Sequence, residues 1–175
     1  MKEEYSWDES KTVAANARAA LPVLAGRFFA AGRKAVKPST PAADLHAFRL
    51  LAKRFRYTLE LFRPVYGATL ETLIESLRRV QGYLGDINDC EVSRRLVLEE
   101  AGSRRSPQVR AVLRVIDTRQ AEKLEALQQY WDENFRPRET SRKWVNYLAV
   151  YPGRVRRAAG KTRGSASARG AVVRG

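Results

Sequence analysis

Apolar residues recur along most of this chain at alternating steps of three and four, and nowhere do they alternate one by one as a strand requires. From about Ser10 to Val36, the residues Ala14, Ala17, Leu21, Leu24, Phe28, Ala31 and Ala35 form one stripe, which predicts a bundle-facing helix. Pro22 lies inside it. Because proline lacks the backbone donor, the pattern predicts either a kink there or a second segment opening at Pro22. The breaker KPSTPAAD, Lys37 to Asp44, then delivers the chain into a second helix running to about Pro64. Gly67 separates it from a third, in which Leu70, Leu73, Ile74, Leu77, Val80 and Leu84 keep the spacing up to a stop at Gly85.

The stretch LGDINDCEV, Leu84 to Val92, reads as a hinge: Gly85 can take the left-handed closing conformation and Asp86 can cap a new helix, with Asp89 three residues on. That helix carries Val92 and Leu96 and ends at Gly102. Ser106-Pro107 opens the longest predicted helix, to about Phe135, with Val109, Val112, Leu113, Ile116, Leu124, Leu127 and Trp131 on one side. Trp144, Tyr147, Leu148 and Tyr151 predict a short helix laid across the bundle, and Pro152-Gly153 ends order. The expected architecture is all-α: an antiparallel helical bundle, a four-helix unit with additional short helices. It occupies residues 1–153, with a core at about 11–135, an accessory helix at about 139–151 and a disordered basic tail at 154–175.

The second helix has two unlike faces. At about 100° per residue, Phe48, Leu51, Ala52, Phe55, Leu59 and Phe62 share one broad side and belong to the core. His46, Arg49, Lys53, Arg56, Tyr57 and Glu60 fall within about a third of the circumference on the other. This cationic rail has members about 4.5 to 6 Å apart along the axis, so one flexible phosphate chain can engage several at once. Arginine forks donate paired hydrogen bonds to phosphate oxygens, and Lys53 adds a compact charge. Tyr57 adds a hydroxyl. His46 donates from one ring nitrogen when neutral and from both when charged. Arg54 lies off the rail beside Leu50 and Leu61. A basic helix face is most often simply solvated, and a lone helical histidine is most often structural, so the rail alone assigns no ligand.

Charge sharpens the picture. The chain carries 33 Lys and Arg against 19 Asp and Glu, a net charge of +14, which favours an anionic partner. Seven of the cations fall between Arg154 and Gly175 with no acid among them, leaving 26 against all 19 acids in residues 1–153. One cysteine, Cys90, excludes an intramolecular disulfide and a cysteine zinc cluster, as expected in the cytoplasm. No run of about 18 apolar residues predicts a membrane span, and the polar, mostly acidic MKEEYSWDES does not read as a signal peptide. Asp86 and Asp89 read as caps rather than a metal pair. There is no Gly-rich phosphate loop and no compact carboxylate set for magnesium, so neither catalysis nor a cofactor is expected. Lys123 and Gln120 interrupt the stripe of the long helix, either snorkelling at its edge or lining a polar channel.

The pattern His46-x-x-Arg49-x-x-x-Lys53-Arg54-x-Arg56-Tyr57-x-x-Glu60, then Tyr66-Gly67 and Gln81-x-x-Leu84-Gly85-x-x-Asn88-Asp89, resembles the CHAD domain, the conserved histidine α-helical domain. The resemblance covers about Lys11 to Phe135. It implies an all-helical fold that binds inorganic polyphosphate through basic residues, without a catalytic set of its own. The contacts it implies are His46, Arg49, Lys53, Arg54, Arg56 and Tyr57, with Lys123 a weaker one, and the setting is cytoplasmic, in association with polyphosphate granules. Members typically hold two related four-helix units around a basic pore, whereas this chain has one His-and-Arg helix. A half-length member that forms a homodimer is therefore expected. The competing expectation is non-specific, salt-sensitive nucleic-acid binding through the rail or the arginine-rich tail.

Overall fold

The computed structural model describes residues 8–101 and 106–162. Within them the chain forms α1 (Val13–Ala35), α2 (Ala42–Leu61), α3 (Arg63–Tyr66), α4 (Ala68–Ala101), α5 (Pro107–Asn134) and α6 (Arg138–Thr162), with no strand. The Thr12 hydroxyl caps α1 by accepting from the Ala15 N–H at 3.2 Å. Buried Asn16 accepts from the Asp8 N–H and donates to the Asp8 carbonyl, at 2.9 and 2.8 Å, tying the preceding segment onto the helix. α2 stops at Leu61, short of the expected Pro64, because Pro64 sits in the first turn of α3. Gly67, at φ +75°, closes α3 in the left-handed region and turns the chain into α4.

Besides the end of α2, two helix boundaries differ from those expected, at Gly85 and at Pro152-Gly153, and at Gly85 burial overrides a local breaker; at Pro22 the chain keeps one helix and opens no second segment. α1 passes unbroken through Pro22, where an interior proline costs about 3 kcal/mol, because Ala17, Leu21, Ala25 and Phe28 on both sides of it are fully buried. α4 runs straight through the expected hinge at Gly85. Its stripe continues past Leu84 into Ile87 and Cys90, both buried, and Gly85 has an ordinary negative φ. Asp86 is therefore no cap; its carboxylate pairs with Lys123 at 2.8 Å. At 34 residues α4, not the 28-residue α5, is the longest helix described. The short helix expected across the bundle is a full member, α6, which packs along α1 and continues through Pro152-Gly153 to Thr162. The rest of the expected tail, from residue 163, lies outside the described residues, as does the helix end expected at Gly102.

α1 packs on α2 and α6, α2 on α4, and α4 on α5. The order of contacts makes the α4–α5 pair antiparallel: Tyr83 meets Tyr130, Asp86 meets Lys123, and Arg94 meets Asp117. Phe28 is the hub. Its ring lies within 6.4 Å, centroid to centroid, of Phe29, Phe48, Phe55, Trp131, Phe135 and Trp144, so α1, α2, α6 and the end of α5 meet at one fully buried residue. Each such ring pair contributes about 0.5–1.5 kcal/mol beyond area burial. The Tyr66 hydroxyl donates to the Leu148 carbonyl at 2.6 Å, and burial pushes its phenol well above the usual range, so it stays a neutral donor.

The Trp131 indole sits directly over Gly32, where a Cβ would overlap its ring. The Gly32→Ala protein is expected to lose about 1–3 kcal/mol through overpacking, despite alanine's higher helix propensity. Gly26→Ala, on open surface of the same helix, should gain up to about 1 kcal/mol. Urea denaturation of both variants measures the contrast.

Candidate anion-binding site

Burial on α2 divides the helix as its pattern requires: Leu45, Phe48, Ala52, Phe55 and Leu59 are inside. The polar flank is not left open along its whole length, because α4 runs beside it in the opposite direction. His46 Nδ1 lies 3.2 Å from Asn88 Oδ1, a contact that needs the proton on Nδ1. Ten residues along α2, Arg56 Nε donates to Gln81 Oε1 at 2.7 Å. One turn further, Glu60 accepts from Arg56 at 2.7 Å and from Arg78 of α4 at 3.1 Å.

These bonds partition the charge. Beyond Arg56, Arg78 also reaches Glu71 and Glu75 at 3.2 and 3.3 Å, and Arg63 reaches Glu71 at 2.9 Å. Three arginines and three glutamates there compensate one another, and Glu60 and Glu75 hold the Arg78 guanidinium above its usual range. Between the His46 and Arg56 bridges the picture is different. Arg49, half-buried, and Lys53, exposed, have no carboxylate partner among the described residues. The Tyr57 ring, half-exposed, lies 5.7 Å from Lys53 Nζ and 4.5 Å from the Arg56 guanidinium, which keeps the two cations ordered against it. The groove therefore has a neutralised end and an uncompensated cationic centre.

The structure thus brings His46, Arg49, Lys53, Arg56 and Tyr57 together. Arg56 is already engaged by Glu60 and Gln81, so it holds the register of the two helices as well as lending charge. Arg54 sits at the outer edge of this row, in a shallow pocket with Leu50, Thr58 and Leu61 that Lys53 and Tyr57 also line. Lys123 is not brought to the rail: its bond to Asp86 places it in the α4–α5 seam. Sequence reasoning missed the part played by Gln81, Asn88 and Arg78, because a break at Gly85 separates Asn88 from the other two. Read as one helix, their spacing of three and seven puts all three on one face.

No helix among the described residues is long and apolar enough to cross a membrane. None of their His, Cys, Asp and Glu side chains forms a group of three or more suited to a metal ion. The model of the CHAD domain matches residues 3–98, more than half of the 175, a span that includes the rail on α2 and its Gln81 and Asn88 counterparts on α4. The chain belongs to the CHAD domain family. CHAD domains are associated with polyphosphate binding, and this one is a roughly half-length unit. The match takes in α1 to α3 and α4 as far as Leu98, which is shorter than the expected reach to Phe135 and leaves Lys123 outside. No curated protein and no solved structure matches the chain.

If Glu60 neutralises the site's far end, Glu60→Gln should release Arg56 and Arg78 toward solvent. The expected result is a loss of about 1–2 kcal/mol in stability, from weakened charge-assisted bonds, together with tighter binding of a polyanion at low salt. Parallel denaturation and titration of the same variant separate the two effects.

Proposed function

We propose that this CHAD domain binds inorganic polyphosphate in the groove between α2 and α4 and performs no chemistry on it. The observation that carries the reading is the pair Arg49 and Lys53, cations without a carboxylate partner, placed between two bridges that hold the helices in register. His46 at one end and Arg56 and Tyr57 at the other extend the row, so a linear polyanion lying along α2 meets successive donors at about one-turn intervals. Arg54 and Lys123 contribute from outside this row, through the general field. Capture is electrostatic, with directed hydrogen bonds from the arginine forks, and displacement of counterions makes it salt-dependent. A ligand of phosphates alone suits a site with one half-exposed aromatic, Tyr57, since single-strand nucleic-acid binders add stacking platforms to their cations.

The Arg49→Ala/Lys53→Ala protein should bind long-chain polyphosphate at least about tenfold more weakly than wild type, at unchanged folding. Competition at physiological salt against single- and double-stranded DNA is the deciding measurement. Selective loss of polyphosphate supports a defined groove; equal loss of every ligand means unspecific attraction by net charge. Deleting residues 154–175 should remove DNA binding and spare polyphosphate; the reverse outcome would assign polyphosphate to the tail and overturn the groove. Release of phosphate from the polymer with added magnesium would show an enzyme instead.

A homodimer belongs to the same reading. The outer face of α2 exposes Leu50, Tyr57 and Leu61, at 51%, 50% and 73%, an apolar row beside the rail on which a second copy can pack. Two rails brought side by side repel unless an anion lies between them. Sedimentation is therefore expected to show dimer favoured by polyphosphate, and a monomer both with and without it would reject the dimer.

A further inference from the structure

Gly85 is the one position of the α4 face toward α2 that has no explanation in the packing. Arg78, Gln81 and Asn88 each bond a side chain of α2, and at about 100° per residue they span roughly 80° of the α4 circumference. Gly85 falls inside that arc, about one turn beyond Gln81 and one turn before Asn88. On α2 the residues between the corresponding partners, Arg56 and His46, are Lys53 and Arg49. A Cβ built on Gly85 meets nothing within 4 Å, unlike Gly32, where Trp131 occupies the space. Glycine weakens a helix interior, and no close approach of another side chain offsets that here. The strip of groove opposite the two uncompensated cations is thus empty at side-chain depth.

We propose that Gly85 is a specificity-determining residue: its missing side chain leaves the seat in which one phosphate group of the polymer lies between Arg49 and Lys53, against the backbone of α4. Those two cations are about 6 Å apart along α2, a separation that a single tetrahedral oxyanion can bridge with two of its oxygens. Gln81 and Asn88 wall the seat along α4, and Asp89, at the edge of the same arc, limits the cationic surface on that side. The inference rests on the polyphosphate reading and deepens it, since it says where the polymer sits closest to the protein and what would keep it out.

The test uses the full chain with Gly85→Leu, Gly85→Ala and, as a matched control, Gly26→Leu, whose site on α1 is equally open. Each is titrated with long-chain sodium polyphosphate and melted thermally. Gly85→Leu is expected to lower affinity by at least about tenfold and Gly85→Ala by less, with melting temperatures equal to or above wild type. Gly26→Leu should melt likewise and bind as wild type does. A purely structural role for Gly85 would not separate affinity from stability in this way. Wild-type affinity in a folded Gly85→Leu protein, or an equal loss in Gly26→Leu, overturns the proposal. Should Gly85→Leu fail to fold, Gly85→Ala decides by the same criteria. If these variants bind normally while Arg49→Ala/Lys53→Ala weakens binding, only the role of Gly85 fails. If wild type itself ignores polyphosphate, the ligand assignment fails first.

Discussion

The register of α2 against α4 is the constraint on which the remaining features depend. α2 is gripped by its apolar side: Phe48 and Phe55 lie 5.5 and 5.6 Å from the Phe28 ring, which α5 and α6 enclose in turn. Once that side is committed, a helix has no freedom left in where its other side points. The His46, Arg49, Lys53 and Arg56 row is then carried to α4, and the bonds to Asn88 and Gln81 set its height along the partner helix. A slip by one turn, about 5.4 Å, would break both bonds and move Phe48 and Phe55 off the hub. The aromatic core and the polar groove are in this sense two consequences of one packing decision.

Electrostatics distinguishes the two parts of the groove. Glu60, Glu71 and Glu75 surround Arg78, so that end contributes ion pairs of the modest worth usual at a surface. The centre is different. Two like charges about 6 Å apart repel by roughly 3 kcal/mol at an effective dielectric constant of 20, and by under about 1 kcal/mol in bulk water. Lys53 is exposed and Arg49 only half-buried, so the repulsion lies toward the lower figure in the free protein. It turns to attraction when an anion enters, and excluding water from the groove strengthens that attraction.

The periodic features were legible in the sequence: the stripes of α1 and α2, that of α5 apart from Val112, which is exposed, the core face of α2 and the row of cations opposite it. What was misread came from local signals that tertiary packing overrode. Gly85 followed by Asp86 has the composition of a helix stop and a new cap, yet Leu84, Ile87 and Cys90 bury the same face on both sides, and continuous burial outweighs the roughly 1 kcal/mol that a glycine costs. At Pro152-Gly153 α6 also continues past the expected end, while at Pro22 α1 stays one helix, which excludes a second segment opening there. The compensation of Arg56 by Glu60 was hinted at by their four-residue spacing, but Arg78, Gln81 and Asn88 reach α2 from 18, 25 and 42 residues away. No local pattern encodes which face of α4 meets which face of α2. Lys123 was misplaced for a related reason: its partner, Asp86, had been assigned to a cap.

Two unfavourable features of the bundle coincide in the groove. A half-buried interior glycine without a packing partner and two adjacent cations without a carboxylate fall on facing stretches of α4 and α2, whereas Gly26 and Gly82, equally open, lie on exposed surface, and Arg78, Arg94 and Arg95 of α4 are paired. Each feature lowers the stability of the free protein by an amount of order 1 kcal/mol. A ligand that binds the folded state alone, at a free concentration a hundred times its Kd, contributes about 2.7 kcal/mol. That gain is of the same size as the combined deficit, so a polyanion in the groove can restore what the bundle forgoes there. A surface shaped only for stability would place a side chain at residue 85 and an acid beside Arg49 or Lys53; leaving both positions unfilled makes sense if something outside the chain completes the groove.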